Sequence, residues 1–251
     1  MHLSEHVDEF NRQGFTVIRG AMSEEQADLI RAGVLSAFDG PEDGYGANIR
    51  TKMFEKGKPF VELIGQPVVA DFAEEVLGGN CHMFSMNALL TPKGSGIDVW
   101  HVDEELFFPL PDDVELDPRI PVPTFLFTCL YYLVDVEANM GPTQLVPGSH
   151  RSGQEPAPKQ NPPIYKGQEP VSITAKKGDC LLFTGQTWHR GAKNESDKPR
   201  VVQQVTYSRR WVSQRFYPFV NYRMPDEVVA WAEGNRRLTR MLGFHPRGPY
   251  G

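Results

Sequence analysis

At 251 residues, 40% hydrophobic and 23% charged, the chain has the composition of a soluble globular protein with room for one large β-rich domain. A formal net charge of −6 argues against the basic face of a nucleic-acid binder, and no apolar stretch is long enough to span a bilayer. The 23 glycines and 21 prolines suit many strands and turns, and Cys81, Cys129 and Cys180 lie far apart in apolar runs with no CxxC, as buried reduced thiols do.

The opening "LSEHVDEFNRQG" is polar and acidic, unlike a secretory leader, so a cytoplasmic protein is expected. It predicts a helix capped by Ser4, with Leu3, Val7 and Phe10 on one face and Gly14 closing it. "MSEEQADLIRAGVLSAFDGP" predicts a second helix, with Ser23 and Gln26 as a capping box and Ile30, Val34 and Phe38 at four-residue spacing. "PVVADFAEEVLGGN" repeats the pattern with Val69, Phe72 and Val76. "CHMFSMNALLTP", "TFLFTCLYYLVDVE", "PVSITAKKGDCLLFTGQTWH" and "RVVQQVTYSRRWV" are β-branched or aromatic and bounded by turn residues, so they predict strands. Two proline-rich loops, "PLPDDVELDPRIPVP" and "GQEPAPKQNPPIYKGQEP", interrupt them. "DEVVAWAEGNRRLTRML" predicts a last helix capped by Asp226. No repeat or linker divides the chain, so residues 1–251 are expected to form one domain, mainly β with flanking helices, as a double-sheet jelly roll.

The tetrapeptide "HVDE" occurs twice, at 6–9 and 101–104. On a helix, residues two apart project about 200° apart, so His6 and Asp8 cannot share an ion and are expected on an exposed face. On a strand, residues two apart face the same side, so His101 and Asp103 can chelate one metal. A 2-His-1-carboxylate face with open positions, the arrangement of non-haem Fe(II) oxygenases, needs a second imidazole. His82 lies early in a strand, His245 lies in the tail, and His150 closes "GPTQLVPGSHR", where a structural hydrogen bond is its expected role. His189 ends the apolar run "CLLFTGQTWH", and Arg200 follows eleven positions later at the head of "RVVQQVTY". If a dicarboxylic keto acid is the cosubstrate, Arg200 is the cation for its far carboxylate, because a guanidinium fork binds carboxylates bidentately. A surface arginine after a turn is the competing reading.

His101-x-Asp103, "NMGPTQLVPGSH" and "LLFTGQTWHRGAKNESDKPR" resemble the phytanoyl-CoA dioxygenase family of Fe(II)/2-oxoglutarate-dependent oxygenases. The resemblance runs from about residue 10 to about 215, and "EFNRQGFTVIRGAMSEEQADLI" is similar to that family's helix-strand-helix start. It implies a jelly-roll (cupin-like, double-stranded β-helix) fold and Fe(II), 2-oxoglutarate and O2 as cofactor and cosubstrates. It also implies His101, Asp103 and His189 as iron ligands and Arg200 as the 2-oxoglutarate anchor, with Asn87 and Thr128 as flanking cosubstrate contacts. One departure is Gly191, where many relatives carry Ser, so a hydroxyl contact must come from elsewhere. Asp103 distinguishes the chain from the family's halogenases, which lack that carboxylate, so hydroxylation of a small-molecule substrate is implied.

Candidate pocket walls are Phe107, Phe108, the loops 111–123 and 153–170, and "SRRWVSQRFYPF", whose Arg209, Arg210 and Arg215 could meet an anionic substrate or form a solvated rim. Two rival readings remain. A metal-dependent cupin-like isomerase or lyase needs no keto acid, and a non-catalytic jelly-roll binding protein needs no iron.

Overall fold

The computed structural model describes residues 2–42, 46–157 and 161–248. Helix α1 (Leu3–Gln13) leads into strand β1 (Phe15–Ile18) and helix α2 (Glu24–Asp39); β2 (Ile49–Arg50), α3 (Lys58–Ile64) and α4 (Pro67–Leu77) follow. The strands β3 (His82–Thr91), β4 (Ile97–His101), β5 (Leu126–Tyr132), β6 (Thr143–Leu145), β7 (Val171–Ile173), β8 (Cys180–Thr184), β9 (His189–Gly191) and β10 (Arg200–Ser208) come next, before α5 (Asp226–Trp231) and α6 (Arg236–Met241). Two antiparallel sheets result, one in the order β1-β8-β5-β10-β3-β2 and a smaller one in the order β4-β9-β6-β7. This is the jelly-roll arrangement expected. Among the described residues, no helix is long and apolar enough to cross a membrane.

Strand alternation sorts the side chains of the large sheet into two cores. Cys129, Tyr131, Val201, Val205 and Tyr207 face the helices and pack with Phe10, Phe72 and Ile64. Leu130, Tyr132, Phe183 and Val202 face the small sheet and meet Leu145 and Ile173. All three cysteines are free and buried. Each fully buried Phe or Leu contributes roughly 1.5–3 kcal/mol, and aromatic edges lock the helical layer: Phe10 meets Phe72 at 5.3 Å and Phe127 at 5.7 Å, both T-shaped.

The helix ends differ in detail from expectation. In α1 the cap is His2, whose backbone N–H donates to Glu5, and Gly14 closes the helix at φ 87 as its sequence position predicts. In α2, Ser23 accepts from the Gln26 amide at 3.1 Å, but the Gln26 side chain donates to Gln66, so only half the capping box forms. The expected C-terminal helix is two short ones, because Gly234 turns left-handed (φ 80) and Asn235 caps the second; Asp226 lies inside the first turn, after Pro225. His6 corrects another expectation. It is 6% exposed and bonded to the Thr16 hydroxyl at 2.8 Å, so the first "HVDE" pins α1 to β1.

Candidate active site

Antiparallel pairing of β4 and β9 makes His101 the Cα partner of His189, with ring centroids 4.3 Å apart. Strand β4 ends at His101, so Asp103 lies beyond the ladder and not on it as expected. A different contact fixes it: its amide donates to the Gly185 carbonyl at 2.8 Å. Any Cβ at Gly185 would stand 3.1 Å from the Asp103 Cβ, so glycine admits this approach. Asp103 Oδ1 lies 3.2 Å from His189 Nε2 and 3.8 Å from His101 Nε2. One ligand atom from each residue falls within 4.8 Å of the others.

Both imidazoles are oriented from behind. His101 Nδ1–H donates to the Val99 carbonyl at 2.8 Å, and His189 Nδ1–H to that of Thr187 at 2.7 Å. These partners set the tautomer and leave each Nε2 with a lone pair toward Asp103. Asp103 Oδ2 is buried and makes no hydrogen bond. Lone pairs converge here without a donor among them, so a proton or a metal ion belongs between them. Burial is the largest single influence and pushes the Asp103 carboxyl up, but His189, with His101 and Thr128 adding to it, brings the group below the ordinary range. Burial likewise lowers His189, and Asp103 reverses the sign, so that imidazole titrates above its usual value. His101 is lowered by burial and by His189.

Arg200 heads β10 and is 4% exposed, so it is not the surface arginine of the competing reading. Nη1 donates to the Gly141 carbonyl and Nη2 to Thr91 Oγ1 at 3.2 Å, while Nε is buried without a partner. A guanidinium has five N–H donors, so three remain for a ligand. Burial lowers its pKa, and nearby Tyr132 acts the other way. The Tyr132 hydroxyl is itself buried without a hydrogen bond. A Cβ at Gly191 would lie 3.3 Å from Arg200 Nη2, so the hydroxyl this chain lacks at 191 has substitutes beside the same guanidinium in Thr91 and Tyr132.

Asn87 and Thr128 stand on the two strands flanking β10, opposite Gln204 and Thr206. Asn87 donates to Gln204 at 3.1 Å, and Thr128 bonds Thr206 at 3.1 Å. Both line a cavity that reaches Asp103, not the surroundings of Arg200. Of the three candidate arginines, only Arg215 lines that cavity. Arg209 is taken by the Thr124 and Val76 carbonyls, and Arg210 reaches Pro246. Phe107 does not line it either; it stacks on Phe125, which meets Trp211. A second cavity beside His101 takes Glu155, Pro156, Ala157 and Asn161 from the loop 153–170, whose residues 158–160 lie outside the described residues.

The remaining histidines are structural. His150 donates from Nε2 to the Asn11 carbonyl at 3.2 Å, and His82 links the Val212 carbonyl to His245. Sequence reasoning missed the carbonyls of Val99 and Thr187, which any residue could supply. It also missed Gly185 and Tyr132, for which only the three-dimensional neighbour gives a reason.

The model of the phytanoyl-CoA dioxygenase family matches residues 10–202. An ectoine dioxygenase of Bordetella bronchiseptica is 24% identical over 238 residues, covering 82% of this chain and 75% of that protein. Dioxygenase trt7 of Aspergillus terreus is 23% identical over 234 residues, covering 79% and 72%. Among solved structures, the epimerase SnoN in complex with Fe3+, alpha ketoglutarate and nogalamycin RO superposes with a TM-score of 0.65 at 20% identity, covering 85% of this chain and 86% of that one. HygX from Streptomyces hygroscopicus, with nickel, 2-oxoglutarate and hygromycin B bound, gives 0.65 at 15% identity, covering 84% and 89%. Both structural likenesses are to the fold.

Proposed function

The chain belongs to the phytanoyl-CoA dioxygenase family of Fe(II)/2-oxoglutarate-dependent oxygenases, and from that premise we propose that it hydroxylates an unactivated C–H of a small metabolite or natural-product intermediate, with succinate and CO2 as coproducts. The observation that carries this reading is the triad: one ligand atom from each residue falls within 4.8 Å of the others, both Nε2 atoms face Asp103 Oδ1, the buried Asp103 Oδ2 has no hydrogen bond, and both Nδ1–H groups are committed elsewhere. Such a donor set suits a divalent iron and leaves coordination positions free.

His101, Asp103 and His189 would hold the iron, and Arg200 would take the far carboxylate of 2-oxoglutarate with Tyr132 and Thr91 beside it. When bound, iron and 2-oxoglutarate supply the oxidative decarboxylation that drives C–H oxidation. The chain's own share is ligation, orientation and exclusion of water. The Val99 and Thr187 carbonyls keep the imidazoles in one tautomer, with each Nε2 free to face the ion. Asn87 and Thr128, across β10 from one another, support the reacting end of the site and not the far carboxylate.

Buried Arg200 favours this reading over a cupin-like isomerase or a binding protein, since neither gives an unspent buried guanidinium a task. Anaerobic titration of the Fe(II)-loaded protein with 2-oxoglutarate tests it. A weak visible charge-transfer band should saturate at one equivalent, and compounds that stimulate succinate release then identify substrates. No band and no keto-acid binding would return the assignment to the isomerase.

A further inference from the structure

Asp103 borders a cavity of about 210 Å³ whose other walls include Ser85, Gln204 and Thr206. Strand geometry separates this space from the anchor of the cosubstrate. Along β10, Gln204 and Thr206 stand four and six residues from Arg200, roughly 13 and 20 Å at the usual rise. The walls set hydrogen-bonding groups beside the apolar Ile49, Phe84 and Leu126, and the volume falls below the roughly 300–1,000 Å³ of pockets for drug-sized ligands. Such a space suits a small molecule that forms hydrogen bonds and not an acyl chain.

Its rim carries two cations from distant parts of the chain, Lys52 and Arg215. The fold leaves both with donors to spare. The carboxylate beside Lys52 is that of Glu55, 3.9 Å from Nζ, and it already accepts from the Tyr222 hydroxyl at 2.8 Å. Among the described residues, Lys52 Nζ otherwise reaches only the Tyr217 carbonyl, at 3.4 Å, and the Tyr222 ring face. Its backbone is left-handed at φ 48, a conformation that a non-glycine residue adopts at a cost in stability. Arg215 donates from Nη1 to Glu104 at 2.9 Å, leaving Nε and Nη2 unspent among the described residues. Glu104 directly follows Asp103, so this ion pair ties the guanidinium to the loop that carries the carboxylate of the triad.

Taking Asp103 as an iron ligand, as the reading above does, we infer that the substrate is a small molecule bearing a carboxylate, phosphonate or sulfate, which Lys52 and Arg215 grip while the carbon to be oxidised lies at the Asp103 end. Two cationic grips then serve the site, Arg200 for the cosubstrate and, in the separate cavity that Asp103 borders, Lys52 and Arg215 for the substrate. Lys52 and Arg215 are thereby specificity-determining residues.

The test is a panel of small carboxylates, phosphonates and sulfates, each paired with its methyl ester or amide, screened by thermal shift on protein carrying Zn(II) and saturating 2-oxoglutarate. Hits are then titrated by calorimetry. Anions should bind at least tenfold more tightly than their neutral partners, and Lys52→Gln and Arg215→Gln should each erase most of that difference. Both side chains are partly exposed (29% and 50%), so the variants should keep the wild-type circular dichroism and their response to 2-oxoglutarate. Neutral partners that bind equally well, variants that leave the preference intact, or a panel without an anionic hit would each overturn the inference. Titrating the wild-type Zn(II) protein with 2-oxoglutarate, and with the anions in its absence, separates the two readings. Anion binding in a wild-type protein that never binds 2-oxoglutarate would leave this inference standing and remove the oxygenase assignment.

Discussion

A half-buried carboxylate facing two imidazole lone pairs gains little from the fold itself, and this makes substitutions at the triad informative. His101→Ala, Asp103→Ala and His189→Ala should each abolish iron-dependent 2-oxoglutarate turnover, read as succinate release. His6→Ala should keep turnover, yet lose roughly 0.5–1.5 kcal/mol of stability with the hydrogen bond to Thr16, whose hydroxyl still donates to Glu9. Normal activity in the His189 variant would remove it from the ligand set. Arg200→Ala should spare metal binding and raise the 2-oxoglutarate requirement a few hundredfold or more, since losing one partner of a buried ion pair costs about 3–5 kcal/mol. Lysine should rescue it only partly, lacking the fork. Asp103 also bears on reaction outcome, because an anionic ligand on a hard ion fills the position a halide would need. Mass spectrometry in saturating chloride should therefore find hydroxylated and not chlorinated product; a chlorinated major product would sink the assignment of Asp103. At this scale the chemistry-bearing side chains were legible because few residue types can ligate iron or grip a carboxylate. The orienting carbonyls of Val99 and Thr187 were not, since every residue has one.

Between elements, the junction of α1 with the turn before β9 makes a sharper prediction than any single side chain. Gly14 closes α1 at φ 87, and a Cβ there would meet Thr187 Oγ1 at 2.4 Å and His150 Nδ1 at 2.6 Å. Gly14→Ala should therefore destabilise the protein by more than the roughly 1 kcal/mol of a left-handed alanine. It should also disturb Thr187, whose carbonyl orients His189. Burial pushes the His150 pKa from 6.5 down to about 4. Its neutral form is thus the one folding favours: the contribution is full above pH 6.5 and is lost as pH falls toward about 4. Roughly 2 kcal/mol should be gone by pH 5. Urea unfolding of wild type and His150→Gln at pH 7, 6 and 5 checks this, since the gap between them should narrow on acidification. A constant gap would mean that His150 does not titrate on unfolding. The long strands β3, β5, β8 and β10 were legible from apolar runs. α3 and the two- or three-residue strands β2 and β6 were not, because they are too short to show a period and exist through tertiary pairing. The single C-terminal helix was overread, because a periodic apolar pattern continues across Gly234 while the backbone does not.

Across the whole molecule, the proposed site stitches together parts that the chain brings from far apart. His101 and His189 lie on neighbouring strands of the small sheet, Asp103 hangs from the turn after β8, and Arg200 belongs to the large sheet. An ion held by the triad thus cross-links the small sheet to the Gly185 turn, and a keto acid reaching from that ion to Arg200 ties one sheet to the other. Each ligand that binds only the folded state adds RT ln(1 + [L]/Kd), about 2.7 kcal/mol at a hundredfold excess over Kd. For a chain of this length that corresponds to a rise of roughly 5–10 °C in Tm. Scanning calorimetry should therefore show one increment on adding Fe(II) anaerobically and a second on adding 2-oxoglutarate, with chelator reversing both. The order matters: 2-oxoglutarate without metal should do little, because only Arg200 and its neighbours would hold it. Arg200→Ala should keep the metal increment and lose the second, while Asp103→Ala should lose both. A full 2-oxoglutarate increment in the metal-free protein would show that the keto acid does not bridge the triad and Arg200, and the two-sheet clamp would have to be abandoned even if the enzyme turned over.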